Sequence, residues 1–175
     1  MKNKFLLLTW LLALPLLWAG CDKPLFQPDK DDTEEPEELP PITTTGENTF
    51  GCLVNGEVWL PAGPDRYNRG FDENTGYFLF WATRRFSNSK DFERIGISGK
   101  YTPNSTKISE LRITYSSNNP ELTLYESDSS SANANLHYIN IDGNIASGTF
   151  EATVINESSP FDTVSLTQGR FDFNY

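Results

Sequence analysis

Histidine and cysteine, which zinc sites and many catalytic centres use, are scarce in this chain. His137 is the only histidine, and Cys21 and Cys52 are the only cysteines. A zinc site with two histidines is therefore excluded for this chain alone, as is a cysteine-rich one. The sequence also contains no glycine-rich phosphate loop, zinc-protease helix motif or nucleophile elbow. We therefore expect no metal, no cofactor and no catalytic residue.

Two weaker catalytic hypotheses remain. His137 alternates with Tyr138 on a predicted strand, which favours a surface or cross-strand histidine over a member of a Ser-His-Asp triad. Paired carboxylates of a glycosidase are recognised only by their separation in space. Asp72-Glu73-Asn74-Thr75-Gly76 lacks the bidentate glutamate of a calcium loop and is predicted to be a β-turn. The sequence thus favours a protein that is not an enzyme, with a small hydrolase as the remote alternative.

The chain begins with a leader of three parts. Lys2 and Lys4 supply positive charge, an apolar run follows from Phe5 to Leu17, and Ala19-Gly20 are small. This pattern is typical of a secretory signal peptide. The apolar segment is shorter than the roughly 20 residues of a membrane-spanning helix, so we expect residues 1–20 to be removed.

Small residues directly before Cys21 resemble the lipobox of bacterial lipoproteins, although Trp18 stands where leucine is commonest. The resemblance implies lipid attachment at Cys21, with ordinary signal cleavage as the alternative. It also implies a location in the bacterial cell envelope, at the outer membrane. Lys30-Asp31-Asp32 is similar to an export signal of surface lipoproteins of Bacteroidota but lies later than that signal does. Surface and periplasmic faces both stay open.

Residues 21–45 are rich in proline and acidic side chains and poor in large apolar ones. Burial there cannot offset the entropy of ordering the backbone, which predicts a disordered linker. The formal net charge of the whole chain is −10. This charge disfavours nucleic acid as a partner and disfavours adhesion to anionic lipid. The expected membrane contact is therefore the lipid on Cys21, and a glycan or protein is the expected partner.

Residues 46–175 predict an all-β antiparallel domain of roughly eight to ten strands. Asn55-Gly56 between two apolar runs is the strongest hairpin signal. A two-residue loop pairs Val54 with Glu57 and Cys52 with Trp59, and it sets Gly51 opposite Leu60, which indicates a bulge or a close approach. Both faces of this hairpin carry apolar residues, so we expect it mid-sheet or where two sheets meet.

Further strands are predicted from alternating or continuous apolar residues. They cover 76–83, 92–98, 107–115, 120–126, 136–142, 145–154 and 162–173. Their number and spacing favour a β-sandwich, with a partly closed β-barrel as the alternative.

The aromatic residues suggest where a ligand would bind. Trp59 and Trp81 are expected in the core, where they bury a large area. Cys52 is expected to be a buried apolar side chain. Tyr67 and Phe71 fall in a predicted loop from Pro61 to Thr75 and are the candidate ligand-binding residues for an aromatic platform.

Several local patterns are shared with a family of uncharacterised Bacteroidota lipoproteins, a domain of unknown function. The chain resembles this family at Thr49-Phe50-Gly51-Cys52-Leu53-Val54-Asn55-Gly56 with Trp59, at Ser147-Gly148-Thr149-Phe150, and at Gly169-Arg170-Phe171-Asp172. The resemblance implies an exported, lipid-anchored β domain and carries no activity. The sequence therefore favours a non-catalytic binding module for a glycan, peptide or protein, with a structural component of an envelope assembly as the alternative.

Overall fold

The computed structural model describes residues 37–87, 89–103, 108–119, 121–128, 133–156 and 158–175. These residues form ten strands and no helix. The strands are β1 (Thr49–Val54), β2 (Glu57–Trp59), β3 (Tyr67–Asp72), β4 (Tyr77–Arg85), β5 (Phe92–Lys100), β6 (Ser109–Ser117), β7 (Thr123–Asp128), β8 (Ala134–Asp142), β9 (Ile145–Asn156) and β10 (Ser159–Asn174). The prediction of an all-β domain is confirmed.

The strands form one antiparallel sheet in the order β2, β1, β10, β9, β7, β6, β5, β4, β3, and β8 pairs with β9 beside this path. Among the described residues, the only β-bridge between the two ends of this strand order is an isolated parallel one between Ala62, just after β2, and Arg84 on β4. The sheet is therefore not closed into a barrel. It folds back on itself as a sandwich does, because Phe80 on β4 lies 5.5 Å from Phe171 on β10, ring centre to ring centre.

The hairpin of β1 and β2 has the predicted register. Cys52 pairs with Trp59 and Val54 with Glu57. Asn55 and Gly56 both have positive φ, 52° and 92°, as a type I′ turn requires. The hairpin ends the strand order instead of lying mid-sheet, and the Ala62 bridge just after β2 places it where the two ends of the sheet meet.

The close approach predicted at Gly51 is present. A Cβ on Gly51 would lie 2.8 Å from Cδ of Pro40 and 2.9 Å from Cδ2 of Leu60. The register of β1 against β10 also shifts between Gly51 and Leu53, as a bulge does. Only a glycine lets these apolar side chains close over β1.

The core is dominated by phenylalanine. Phe50 packs against Trp59, Phe150 and Phe173, with ring centres 5.9, 5.6 and 6.3 Å apart. These rings come from β1, β2, β9 and β10, so one cluster ties together strands far apart in the chain. Such aromatic pairs add roughly 0.5–1.5 kcal/mol each to the free energy of burial.

Two predictions about aromatic residues need correction. Tyr67 and Phe71 lie on strand β3 and not in a loop. Trp81, expected in the core, is only half-buried on the outer face of β4, with the Arg94 guanidinium 5.3 Å from its ring centre. The inner face of β4 carries Phe78 and Phe80, both fully buried, so alternation leaves Trp81 outside.

The first described residues, 37–48, form an irregular segment before β1, which we call the entry segment. The segment before β1 is held by Asp172, whose carboxylate accepts hydrogen bonds from the Thr43 hydroxyl (2.7 Å) and from the N–H groups of Thr45, Gly46 and Glu47 (3.0, 2.8 and 3.2 Å). The end of the predicted linker is thereby ordered against β10.

Residues 1–36 lie outside the described residues, and with them the predicted signal peptide, Cys21 and most of the predicted linker. Within the part of the chain that the structure describes, no helix has the length and apolarity to cross a membrane.

Candidate functional site

An open cavity of about 430 Å³ lies where the turn between β3 and β4, the residues directly after β5 and the turn between β8 and β9 meet. The aromatic side chains of Phe71, Tyr101 and Tyr175 line it together with Ile141, all half-buried. The remaining described lining residues are small or polar: Glu73, Asn74, Thr75, Gly76, Thr102, Pro103 and Gly143. We call this the Phe71 cavity. Its size lies within the ~300–1,000 Å³ range of ligand sites, and its mixed lining is typical of them.

The turn between β3 and β4 builds one wall of the Phe71 cavity. Asp72 Oδ1 accepts the N–H of Asn74 at 2.9 Å, and Gly76 N–H donates to the Asp72 carbonyl at 2.7 Å. Gly76 has φ of 72°, and a Cβ there would collide with the Tyr101 carbonyl oxygen. Glycine is therefore required for β5 to end against this turn, which brings Tyr101 to the cavity.

Two further contacts fix the opposite wall. The rings of Phe71 and Tyr175 are 5.6 Å apart, and the Tyr175 hydroxyl donates to the Gly143 carbonyl at 2.9 Å. Tyr175 N–H also donates to the Asn144 carbonyl at 2.8 Å. The aromatic surface of the cavity is thus held by the sheet and by the turn between β8 and β9.

The electrostatic character of the cavity is acidic. Glu73 is the only formally charged side chain among its described lining residues. Burial and the nearby Glu73 carboxylate raise the pKa of Tyr175, so this phenol stays protonated at neutral pH. Hydrogen bonds from the Thr75 hydroxyl and the Asn74 N–H lower the pKa of Asp72, which keeps that carboxylate ionised at the rim.

The two aromatic residues predicted as a ligand platform do not share a cavity. Tyr67 lines a separate cavity of about 210 Å³ with Pro40, Phe50, Leu60 and other residues of β1 and the entry segment. Its ring packs edge-on against Phe173 at 5.4 Å. Phe71 lies in the larger cavity four residues along β3, so the structure separates the two candidates.

A third cavity, of about 400 Å³, lies beside β7 and β9. Leu122 and Leu124 line it and are 75% and 49% exposed. Its other described lining residues are Thr123, Glu126, Asn156 and Ser158, so it has no aromatic surface among them. It therefore offers less to a ligand ring than the Phe71 cavity.

Glu93 is a partly buried carboxylate that links β2 to β4, near the Ala62 bridge where the first and last strands of the sheet approach each other. Its Oε2 accepts the Trp59 indole N–H at 2.7 Å and two bonds from Arg84, at 3.0 and 2.6 Å. Burial, followed by the charge of Glu93 and a hydrogen bond to it, raises the pKa of Tyr115. Because Oε2 already accepts three hydrogen bonds from Trp59 and Arg84, we interpret Glu93 as a structural group.

The other residues considered for chemistry lie apart from the cavity. His137 is exposed on β8, with Nε2 3.3 Å from Oε2 of Glu151 on β9. Cys52 is fully buried, and burial raises the pKa of its thiol to about 12, so it is protonated at neutral pH. Within the described residues, no cluster of three or more His, Cys, Asp or Glu is placed to hold a metal ion.

The sequence pattern indicates Phe71 as a candidate but gives no sign of Tyr101 and Tyr175, which line the same cavity. Tyr175 continues the alternation of Phe171 and Phe173, which signalled a strand and gave no sign of an open site. Tyr101 follows β5 directly, and only the pairing of β4 with β5 brings it to the turn before β4.

Comparison of this chain with protein-family models, with curated proteins and with solved structures gives no match.

Proposed function

We propose that this protein is a lipid-anchored binding module without catalytic activity, which holds a glycan, peptide or protein partner in the Phe71 cavity. The observation that carries the proposal is the cavity itself, with three aromatic side chains beside polar turn residues. Binding sites of this kind use apolar surface for affinity and a few polar groups for orientation.

We propose that the Phe71 cavity is not catalytic because of the ionisable groups that line it. Among the described residues, the Phe71 cavity is lined by one carboxylate, Glu73, and by no histidine or cysteine. A hydrolytic site needs a second carboxylate or a nucleophile with its base within reach. The cavity is therefore better suited to binding than to bond cleavage.

The proposed anchor is lipid on Cys21, in the outer membrane of a bacterial envelope. The support is the leader pattern and the small residues before this cysteine. A membrane-bound position facing either the periplasm or the cell surface would present the cavity to envelope or external ligands.

Replacing Cys21 with alanine tests the anchor. The full chain carrying Cys21→Ala is expected to move from the membrane fraction to the soluble fraction, because acyl chains contribute about 0.8 kcal/mol for each buried methylene. The matched control is Cys52→Ala, which leaves the anchor in place. Retention of the Cys21 variant in the membrane would contradict lipid anchoring.

Replacing Phe71 with alanine tests the binding site. We expect capture of envelope glycans or proteins by the immobilised chain to fall at least about tenfold, which corresponds to about 1.4 kcal/mol of lost apolar contact. Asn74→Ala is a second variant that should also lower capture, because it removes a polar side chain that lines the cavity. This side chain is exposed, so the variant leaves the core intact. Phe86→Ala is the matched control, because Phe86 is 38% exposed and does not line the cavity.

Tyr67→Ala separates the two cavities. Loss of capture in this variant, with full capture by Phe71→Ala, would move the site to the smaller cavity. Equal capture by all variants would favour a structural component of an envelope assembly over a binding module.

A further inference from the structure

We infer that the Phe71 cavity takes a neutral sugar unit of a glycan and discriminates against acidic sugars, with Glu73 setting this preference. The inference rests on the proposed binding function and narrows it to one class of ligand. Three features of the cavity support it: the aromatic walls, the hydrogen-bonding groups at the rim and the sign of the charge.

The aromatic walls suit a pyranose ring. The rings of Phe71 and Tyr175 are tilted by 59° to each other, so they form two sides of a corner and not a closed stack. Tyr101 and Ile141 extend this apolar surface. A sugar presents C–H groups on its faces and hydroxyls at its edge, so such a corner can bury its faces and leave the edge to polar partners.

The rim groups match hydroxyls better than they match a peptide backbone. Thr102 offers a hydroxyl that donates and accepts, and the Asn74 amide keeps an acceptor and a second N–H donor beside its hydrogen bond to Asp72. The Thr75 hydroxyl is already engaged by Asp72 and by the Tyr77 N–H. Sugar hydroxyls likewise donate and accept. An extended peptide would instead add to a strand edge through main-chain bonds, whereas this cavity is lined largely by turn residues at the strand ends.

The charge around the cavity disfavours anions. Glu73 lines it, and the exposed carboxylates of Asp72 and Asp142 are sequence neighbours of lining residues, while Lys100 is the one basic neighbour among the described residues. A carboxylate or sulfate of a sugar bound close to Glu73 would be repelled by the charge of this side chain. Uronic or sulfated sugars are therefore expected to bind less well than neutral ones of the same shape.

The test uses the full chain and an array of neutral oligosaccharides beside matched uronic-acid and sulfated ones. We expect the unaltered chain to bind neutral sugars, Phe71→Ala to bind at least about tenfold less, and Phe86→Ala to bind as the unaltered chain does. Glu73→Gln keeps the side-chain shape and removes the charge, so it is expected to raise affinity for the acidic sugars about fivefold or more. Its affinity for neutral sugars should change little.

The outcomes separate the class of ligand from the binding function. If acidic sugars bind as well as neutral ones and Glu73→Gln changes neither, the inference about charge is overturned. If no sugar binds, the glycan class is overturned, and capture that still depends on Phe71 would leave the binding function standing. If no sugar binds and capture does not depend on Phe71 either, both fail.

Discussion

Replacing Glu93 with alanine is expected to lower the free energy of unfolding by about 3 kcal/mol. The variant leaves the Arg84 guanidinium, 27% exposed, and the buried Trp59 indole N–H without their acceptor. A buried donor without an acceptor and a partly buried charge without a partner both carry a cost of desolvation, which is why one carboxylate has so large an effect. The total free energy of unfolding of a domain is only about 5–15 kcal/mol. A loss of this size would therefore lower the urea concentration at the unfolding midpoint measurably.

Two variants separate the parts of this effect. Trp59→Phe removes the indole N–H and keeps an aromatic ring in the core, so it should cost less than Glu93→Ala. Glu126→Gln removes an ion pair of similar length, 2.8 Å, whose arginine partner is 52% exposed. It should cost no more than about 1 kcal/mol. If Glu93→Ala is no more destabilising than Glu126→Gln, the hydrogen bonds of Glu93 to Trp59 and Arg84 do not stabilise the fold as proposed.

Replacing Asp172 with alanine is expected to cost about 3 kcal/mol as well. Asp172 is 1% exposed and accepts four hydrogen bonds from the entry segment. Three of the donors are backbone N–H groups, which the variant would leave without this acceptor. Thr43→Val removes only one hydroxyl donor and should cost about 1 kcal/mol. Equal stability of the unaltered and Asp172→Ala chains in urea would show that the entry segment is not held here.

The Asp172 contribution should also depend on pH. Burial alone would raise the pKa of Asp172, but hydrogen bonds from the Thr43 hydroxyl and from the N–H groups of Glu47, Gly46 and Thr45 outweigh it and lower that pKa. A carboxyl with a lowered pKa in the folded state stabilises fully above its unfolded pKa of about 3.9. This stabilisation is lost as the pH falls through the lower folded pKa. The stability difference between the unaltered and Asp172→Asn chains should therefore shrink below about pH 4.

Local patterns predicted much of this fold because they act through near neighbours. The Asn55-Gly56 turn sets the register of β1 and β2, and alternation in β10 places Phe171 and Phe173 in the core. These features need no knowledge of distant partners. The antiparallel all-β class follows from them.

Strand β3 was missed because a charged residue stands on its inner face. Tyr67, Arg69 and Phe71 alternate inward, and the Arg69 guanidinium lies 5.8 Å from the Phe173 ring centre. The aliphatic stem of an arginine can cover apolar surface, which the sequence pattern registers only as a charge. The sequence pattern therefore predicts a loop around Phe71, and a loop prediction gives no information on which residues line a cavity with it.

The Phe71 cavity was beyond sequence reasoning for a related reason. Its walls come from residues about 30 to 100 positions apart, Phe71, Tyr101 and Tyr175, and only the fold joins them. The aromatic residues and the turn at Gly76 can be read from the sequence. The pairing of β4 with β5, which brings Tyr101 to that turn, cannot be predicted from it.

The central claim, a ligand site at the Phe71 cavity, is tested most directly by backbone amide NMR shifts of the full chain titrated with a neutral oligosaccharide that it binds on the array. We expect the shift changes to cluster in 73–76, 101–103 and 141–143, the turns that line the cavity. Changes centred on the outer face around Trp81, or on the Tyr67 cavity, would contradict the account.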